Sequence, residues 1–304
     1  MEQDNPETAD VQCQTAGPDI NAKPVHVSLK ISNLVFYVPF LYIYLVRCGA
    51  ACKFVSLLFV LYLVPTFYFF SLHLGLGWSQ IYLYLLAFLL IYGLYELGYL
   101  QNDTETVKNE VVPSLRLYEH NFKHYEQNKK LIYSVRILWC LALSILIVFA
   151  NGFNTGSCLF LVSAWSIAFV YQLYNRIRNR WNLFYLVLLT LARYFSYIFL
   201  FINTVKMSHV IALFFAYSFL KIVESAVRRR YGINWLLALF GGKENFTVIR
   251  VRYYLVATLL SLILVLAGLF DFFDVLFFLW FFSYRLCVFA MLKIGLKFRN
   301  YLSS

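Results

Sequence analysis

Long apolar runs alternate with short polar breaks along this chain. Runs near 54–76, 79–100, 131–150, 156–174, 182–203, 208–226, 250–270 and 272–292 are each close to the length of a membrane crossing. At about 1.5 Å of rise per residue, such a run spans a hydrocarbon core of roughly 30 Å as a single α-helix. A helix also satisfies its own backbone polar groups in lipid, whereas a barrel would need shorter, alternating strands. The pattern therefore predicts eight spanning helices. A further run, 33–46, lies between Lys30 and Arg47, contains Pro39 and is short for a span; it is expected to lie along the interface or to re-enter the bilayer. Residues 1–30 are polar, contain Pro6, Gly17, Pro18 and Pro24 and carry no signal-peptide pattern. They are expected to form a flexible cytosolic tail, leaving 31–304 as one transmembrane domain.

Composition agrees. Of 304 residues, 62% are hydrophobic and only 13% charged, against about a quarter charged in soluble domains. The fold class expected is all-α: a polytopic membrane bundle of eight or nine helices around a central cavity.

Charge sets the orientation. Loops 101–130, 174–182 and 227–249 and the C-terminal tail hold nearly every interhelical Lys and Arg, and only Lys206 falls clearly on the other side, so these pieces are expected in the cytoplasm. The formal charge of +11 is first a topology signal, and it also favours anionic lipid headgroups. Nucleic-acid binding is not expected, because the basic residues sit in short loops at a membrane surface.

The six cysteines are scattered, with only Cys48 and Cys52 a helical turn apart, and suggest neither a disulfide framework nor a zinc site. His120 and His124 lie in EHNFKHYE rather than HExxH and read as solvated surface residues. Asn102 and Asn245 begin N-x-T triplets, but on the side assigned to the cytoplasm, where glycosylation is not expected.

The stretch YELGYLQNDTETVKNEVVPSLRLYEH gathers carboxylates at the end of the second span. Glu96, Asp103 and Glu110 are seven residues apart, and on a continuous α-helix they return to nearly one face, with Asn102 and Thr106 at its margin. Glu96 starts inside the bilayer, where an unpaired carboxylate costs roughly 2.5–3.5 kcal/mol, so a partner or a wet cavity is implied. Carboxylates converging without His or Cys suit a hard cation, and Mg²⁺ is commonly held by one or two carboxylates plus substrate phosphates. A diphosphate-bearing substrate follows. Arg116, Arg176, Arg178 and Lys221 stand on the same face and could clamp it, whereas Arg180, Arg228, Arg229 and Arg230 read as membrane anchors.

The order of these motifs resembles the UbiA superfamily of intramembrane prenyltransferases, whose NDxxDxxxD signature closes the second core helix. Asn102, Asp103 and Glu110 match its first, second and last positions, Thr106 replaces the middle acid, and "VVPSLRL" supplies the following proline and basic residue as Pro113 and Arg116. "VYQLYNRIRNRWN" offers the Tyr-to-Arg pairs Tyr171 with Arg176 and Tyr174 with Arg178, and Arg193 resembles an arginine on the next helix. The second Asp-rich motif of the prenyltransferase branch is missing: "AYSFLKIVESAVRRR" carries Lys221 and Glu224 instead. That segment looks like the branch that transfers phosphoribose onto polyprenyl phosphate, with the spacing one residue shorter.

The resemblance implies Mg²⁺ on Asn102, Asp103 and Glu110, with Asp103, Arg116, Lys221 and Glu224 serving the reaction. Tyr171, Tyr174, Arg176 and Arg178 would border the substrate, and Glu96 would steer the acceptor, support the metal shell or bond a neighbouring helix. The partners implied are a prenyl or polyprenyl lipid and a diphosphate-bearing small molecule. The location expected is the bacterial inner membrane with the site facing the cytoplasm. Transfer of phosphoribose from phosphoribosyl diphosphate to polyprenyl phosphate is the favoured expectation, prenyl transfer to an aromatic or other small acceptor the alternative, and non-catalytic binding or transport of polyprenyl lipids a third.

Overall fold

The computed structural model describes residues 32–68, 78–109, 115–177, 179, 181–201, 206–226 and 246–294. Among them are eight helices long and apolar enough to cross a membrane, matching the count read from the apolar runs. They are α1 (Ala51–Tyr68), α2 (Trp78–Thr104), α3 (Glu119–Asn151), α4 (Thr155–Arg176), α5 (Trp181–Leu200), α6 (Met207–Ala226), α7 (Phe246–Leu266) and α8 (Phe272–Lys293). No strand occurs among the described residues.

The helix α2 is apolar around its whole circumference and is the most enclosed of the eight, as expected for a helix surrounded by others. It packs against α3 and α4; α4 packs on α5, and α7 on α8. The helix α3 shows the opposite pattern. Ile132, Arg136, Cys140, Ser144 and Ile147 are buried at spacings of three and four, while Leu138, Trp139, Ile145 and Phe149 point outward, a face suited to lipid.

Close helix approach depends on two glycines. A Cβ built on Gly98 of α2 would stand 2.1 Å from Cγ of Tyr171 on α4, and one on Gly156 of α4 would meet the Phe199 carbonyl of α5 at 2.5 Å. Both distances are impossible for a real side chain, so only glycine lets these helices meet as they do.

The short run before α1 is not one continuous helix. It forms a 3₁₀ turn (Asn33–Phe36) and a π-helical turn (Ile43–Cys48), separated by Pro39 and by Phe40 at φ 66°. Val35, Phe36, Tyr42 and Val46 pack with Leu100, Leu117, Tyr125 and Ile132 in a small apolar cluster of their own. The segment is thus folded against the C-terminal end of α2 and the N-terminal part of α3. Two further π-helical stretches, Ser56–Leu63 within α1 and Phe214–Phe219 within α6, flank the site described next.

Candidate functional site

The acidic stretch at the end of α2 divides into two separate ion-pair systems. Glu96 is fully buried. Its carboxylate accepts hydrogen bonds from the Phe40 N–H at 2.9 Å, the Ile43 N–H at 3.1 Å and Arg136 Nη1 at 2.8 Å. Arg136 also donates to the carbonyls of Phe36 at 2.6 Å and Val35 at 2.7 Å. The pair therefore ties α2 and α3 to the irregular segment before α1, satisfying backbone groups that Pro39 and the break at Phe40 leave without helical partners. Of the three roles open to Glu96, the geometry matches the structural one.

Asp103, one level toward the helix end, is also buried. Arg47 Nε lies 2.8 Å from one of its oxygens, Arg116 Nη1 donates to the other at 2.8 Å, and Tyr42 donates its hydroxyl at 3.2 Å. Burial works against the charge on Arg47, yet Asp103, followed by Tyr171 and Tyr42, holds the guanidinium above its ordinary pKa. Burial and then Asp103 likewise push the Tyr42 phenol upward, so it remains a donor.

The seven-residue stripe does not continue beyond this point. The α-helix ends at Thr104 and gives way to a 3₁₀ turn (Thr106–Asn109), which advances about three residues per turn instead of 3.6. Glu105 turns away to Tyr125 and Lys129 of α3 at 2.8 and 2.5 Å. Glu110 and Arg178 lie outside the described residues. The expected Mg²⁺ needs oxygen ligands with lone pairs to offer, but both Asp103 oxygens face arginines, and the Asn102 amide nitrogen points at Asp103 at 3.2 Å. No group of three His, Cys, Asp or Glu side chains among the described residues could hold a metal ion. As they are placed, the two described donors of the expected set, Asn102 and Asp103, are turned to other side chains and do not fit Mg²⁺ by themselves.

Beside the ion pairs lies a cavity of about 530 Å³, enclosed by the segment before α1 and by α1, α2, α4, α5, α6, α7 and α8. All three π-helical stretches line it, through Arg47 and Cys48, Ser56 and Tyr62, and Ala216 and Tyr217; wide turns of this kind frequently occur at functional sites. Six cationic side chains face the cavity (Arg47, Lys53, Arg193, Lys221, Arg250 and Arg285) with one carboxylate, Glu224, among the described residues. Nine tyrosines complete the wall. The chamber is electropositive and aromatic.

Arg193 of α5 sits inside a tyrosine cage. Its guanidinium carbon lies 4.8, 4.8, 4.6 and 5.4 Å from the ring centroids of Tyr62, Tyr92, Tyr95 and Tyr194, within cation–π range, and it donates to the Tyr92 hydroxyl. No described carboxylate lies within ion-pair distance of it. On the far side, Glu224 receives two hydrogen bonds from Arg250, Nε to Oε1 at 2.5 Å and Nη2 to Oε2 at 3.1 Å, and Lys221 and Arg285 are electrostatic neighbours of Glu224.

Of the residues the sequence singled out, Asn102, Tyr171, Tyr174, Arg193, Lys221 and Glu224 line this cavity. Asp103 is the shared counter-ion of Arg47 and Arg116, Arg176 is the last residue of α4, and Glu96 pairs with Arg136. Arg47, Arg250 and Arg285 were missed as site residues, and so was Arg136 as the partner of Glu96. Arg136 and Arg285 were open to detection, because a charge in the middle of an apolar run such as SVRILWC or FSYRLCV marks a buried pair or a polar cavity. In comparisons with known proteins, no family model, no curated protein and no solved structure matches this chain.

Proposed function

We propose that this protein is an intramembrane transferase of UbiA-like design that holds a phosphate-bearing isoprenoid lipid in the electropositive, tyrosine-walled cavity. The observation that carries the reading is the charge of that cavity: six cationic side chains against one carboxylate among the described residues, in a chamber of about 530 Å³ among helices long and apolar enough to span a membrane. Such a chamber suits an anion carried on an apolar chain, because low local polarity strengthens each charge contact while aromatic walls accept hydrocarbon. The order of motifs along the chain supports the same reading, and Lys221 with Glu224 in place of an Asp-rich motif favours phosphoribosyl transfer to polyprenyl phosphate.

In this scheme Lys221, Arg250 and Arg285 face the charge that develops on a departing diphosphate, and preorganised cations there lower the barrier without having to reorient. Arg193, fixed by its tyrosines, holds the lipid phosphate in place, which supplies proximity and orientation. The basic face, and with it the polar end of the cavity, is assigned to the cytoplasm by the distribution of Lys and Arg.

A second reading, non-catalytic binding of polyprenyl phosphates, is favoured by one feature: Asp103, the strongest match to the family signature, is committed to two arginines. The experiment that decides incubates purified protein with labelled phosphoribosyl diphosphate plus polyprenyl phosphate and, in parallel, labelled prenyl diphosphate plus aromatic acids, each with and without Mg²⁺. Label appearing on the polyprenyl phosphate supports the first reading, and label on the aromatic acid replaces it with prenyl transfer. Specific lipid binding without turnover of either donor replaces it with the binding role.

A further inference from the structure

We propose that the cavity recognises the phosphate of its ligand directly through cationic side chains, without a divalent cation, and that its acidic residues aim arginines instead of holding metal. This rests on the reading of the cavity as a site for a phosphate-bearing lipid and specifies how that phosphate is bound.

The two acids concerned stand at corresponding places, Asp103 at the end of α2 and Glu224 near the end of α6. Each is buried, and each is paired with an arginine that lines the cavity: Asp103 with Arg47 and Glu224 with Arg250. Arg250 forks Glu224, and Arg47 and Arg116 take one Asp103 oxygen each, so both carboxylates face guanidinium charge, which repels a metal ion. The same pairing fixes the arginine rotamer; Arg47 Nη2 also donates to the Tyr99 carbonyl at 3.3 Å, and the N–H groups left over suit the planar way arginine binds phosphate.

A second observation is independent of the acids. Among the described residues, four buried polar atoms on the cavity wall have no hydrogen-bond partner: Arg47 Nε, which stands in the ion pair with Asp103, and Arg193 Nε on α5, Tyr217 Oη on α6 and Arg285 Nε on α8. Buried donors are nearly always satisfied, so the last three of these atoms, on three different helices around one chamber, mark the place of an acceptor-rich ligand. A phosphate offers only acceptors on its terminal oxygens and carries negative charge to match the excess of cations on the wall. Arg285 is also close to Arg250, Tyr254, Tyr284 and Glu224, which joins the orphaned donors on α8 to the Glu224–Arg250 pair.

The test measures binding of farnesyl phosphate to the purified full-length protein in detergent, once with EDTA and once with excess Mg²⁺, with farnesol as the uncharged control. The dissociation constant is expected to agree within about twofold between EDTA and Mg²⁺, and farnesol to bind at least tenfold more weakly. Arg285→Lys, which keeps the charge but loses the fork, is expected to weaken binding several-fold in both media, and Glu224→Gln to do the same because it loosens Arg250. Inorganic diphosphate competing with farnesyl phosphate identifies a soluble donor's phosphate as an occupant of this site, and failure to compete assigns the site to the lipid's own phosphate; both accord with direct recognition. Binding that appears only with Mg²⁺, or a Glu224→Gln effect confined to Mg²⁺, overturns the proposal while leaving the lipid-phosphate reading standing. Absence of binding in both media removes the reading and the proposal together.

Discussion

Arg136 of α3 donates to Glu96 of α2 at 2.8 Å, and neither side chain is more than 2% exposed. This pair and the carbonyls it reaches set the position of the segment that carries Arg47 into the cavity. Removing one member leaves a buried charge without its partner, which typically costs about 3–5 kcal/mol. Arg136→Met or Glu96→Gln is therefore expected to lower the thermal unfolding midpoint strongly in detergent, while the double variant Glu96→Gln with Arg136→Met loses much less than the sum of the two. Strictly additive losses in this cycle would show that the two side chains act independently.

The contact between Gly98 and Tyr171 links packing to the site, because Tyr171 is itself a wall residue. Gly98→Ala places a methyl group where the Tyr171 ring lies, and overpacking of this kind costs about 1–3 kcal/mol. The variant should unfold at lower temperature and also bind farnesyl phosphate more weakly. Gly152→Ala, at a turn where nothing lies within 4 Å of the added atom, strains the backbone at φ 77° but should leave ligand affinity unchanged. Equal affinity losses in the two variants would break the connection between the helix contact and the cavity.

Cys48 and Cys52 offer a chemical check on the segment before α1. Cys48 is buried against the cavity, and burial pushes its thiol pKa up to about 11. At pH 7 that leaves about one thiolate in 10⁴, and the thiolate is the reactive form. Cys52 is exposed. In variants retaining one cysteine at a time, N-ethylmaleimide at pH 7 should modify Cys52 readily and Cys48 only after denaturation. Comparable rates in the native protein would place Cys48 outside the packed wall.

On the opposite side of the bundle, Asp271 caps α8 and accepts from Lys206 at 3.1 Å, with His209 Nε2 at 3.4 Å. The Lys206 and His209 hydrogen bonds hold the Asp271 carboxyl below its ordinary pKa. A group depressed in the folded state stabilises the fold above its unfolded pKa, about 3.9, and loses that contribution as pH falls through the lower folded value. The wild type should therefore lose thermal stability between pH 5 and pH 3 more steeply than Asp271→Asn. Parallel curves would mean that the Lys206 contact contributes nothing to folding, a common outcome for exposed pairs.

The spans were legible in the sequence because hydrocarbon selects for continuous apolar runs, and each run contains its own hydrogen bonding. The site was legible only in part. Asn102, Tyr171, Tyr174, Lys221 and Glu224 were identified as polar or aromatic residues near the ends of spans, and they line one cavity. The function of the acids was not legible, because Glu96 meets Arg136 and Phe40 across 40 and 56 residues of chain and Glu224 meets Arg250 across 26. No periodicity encodes such pairings. Spacing also misled at one place: seven-residue intervals describe a single face only while the helix continues, and α2 changes to a tighter turn after Thr104, where Glu105 is drawn to Tyr125 and Lys129.

The most direct measurement of the central claim is photocrosslinking with a polyprenyl phosphate carrying a diazirine on its chain, followed by peptide mapping. Adducts are expected at the apolar cavity residues Leu57, Leu61, Leu186 and Leu189, competed by unlabelled polyprenyl phosphate but not by the uncharged polyprenol, and lost in Arg193→Met. Adducts confined to the outward face of α3, at residues such as Ile145 and Phe149, and insensitive to competition would contradict a lipid-phosphate site inside the bundle.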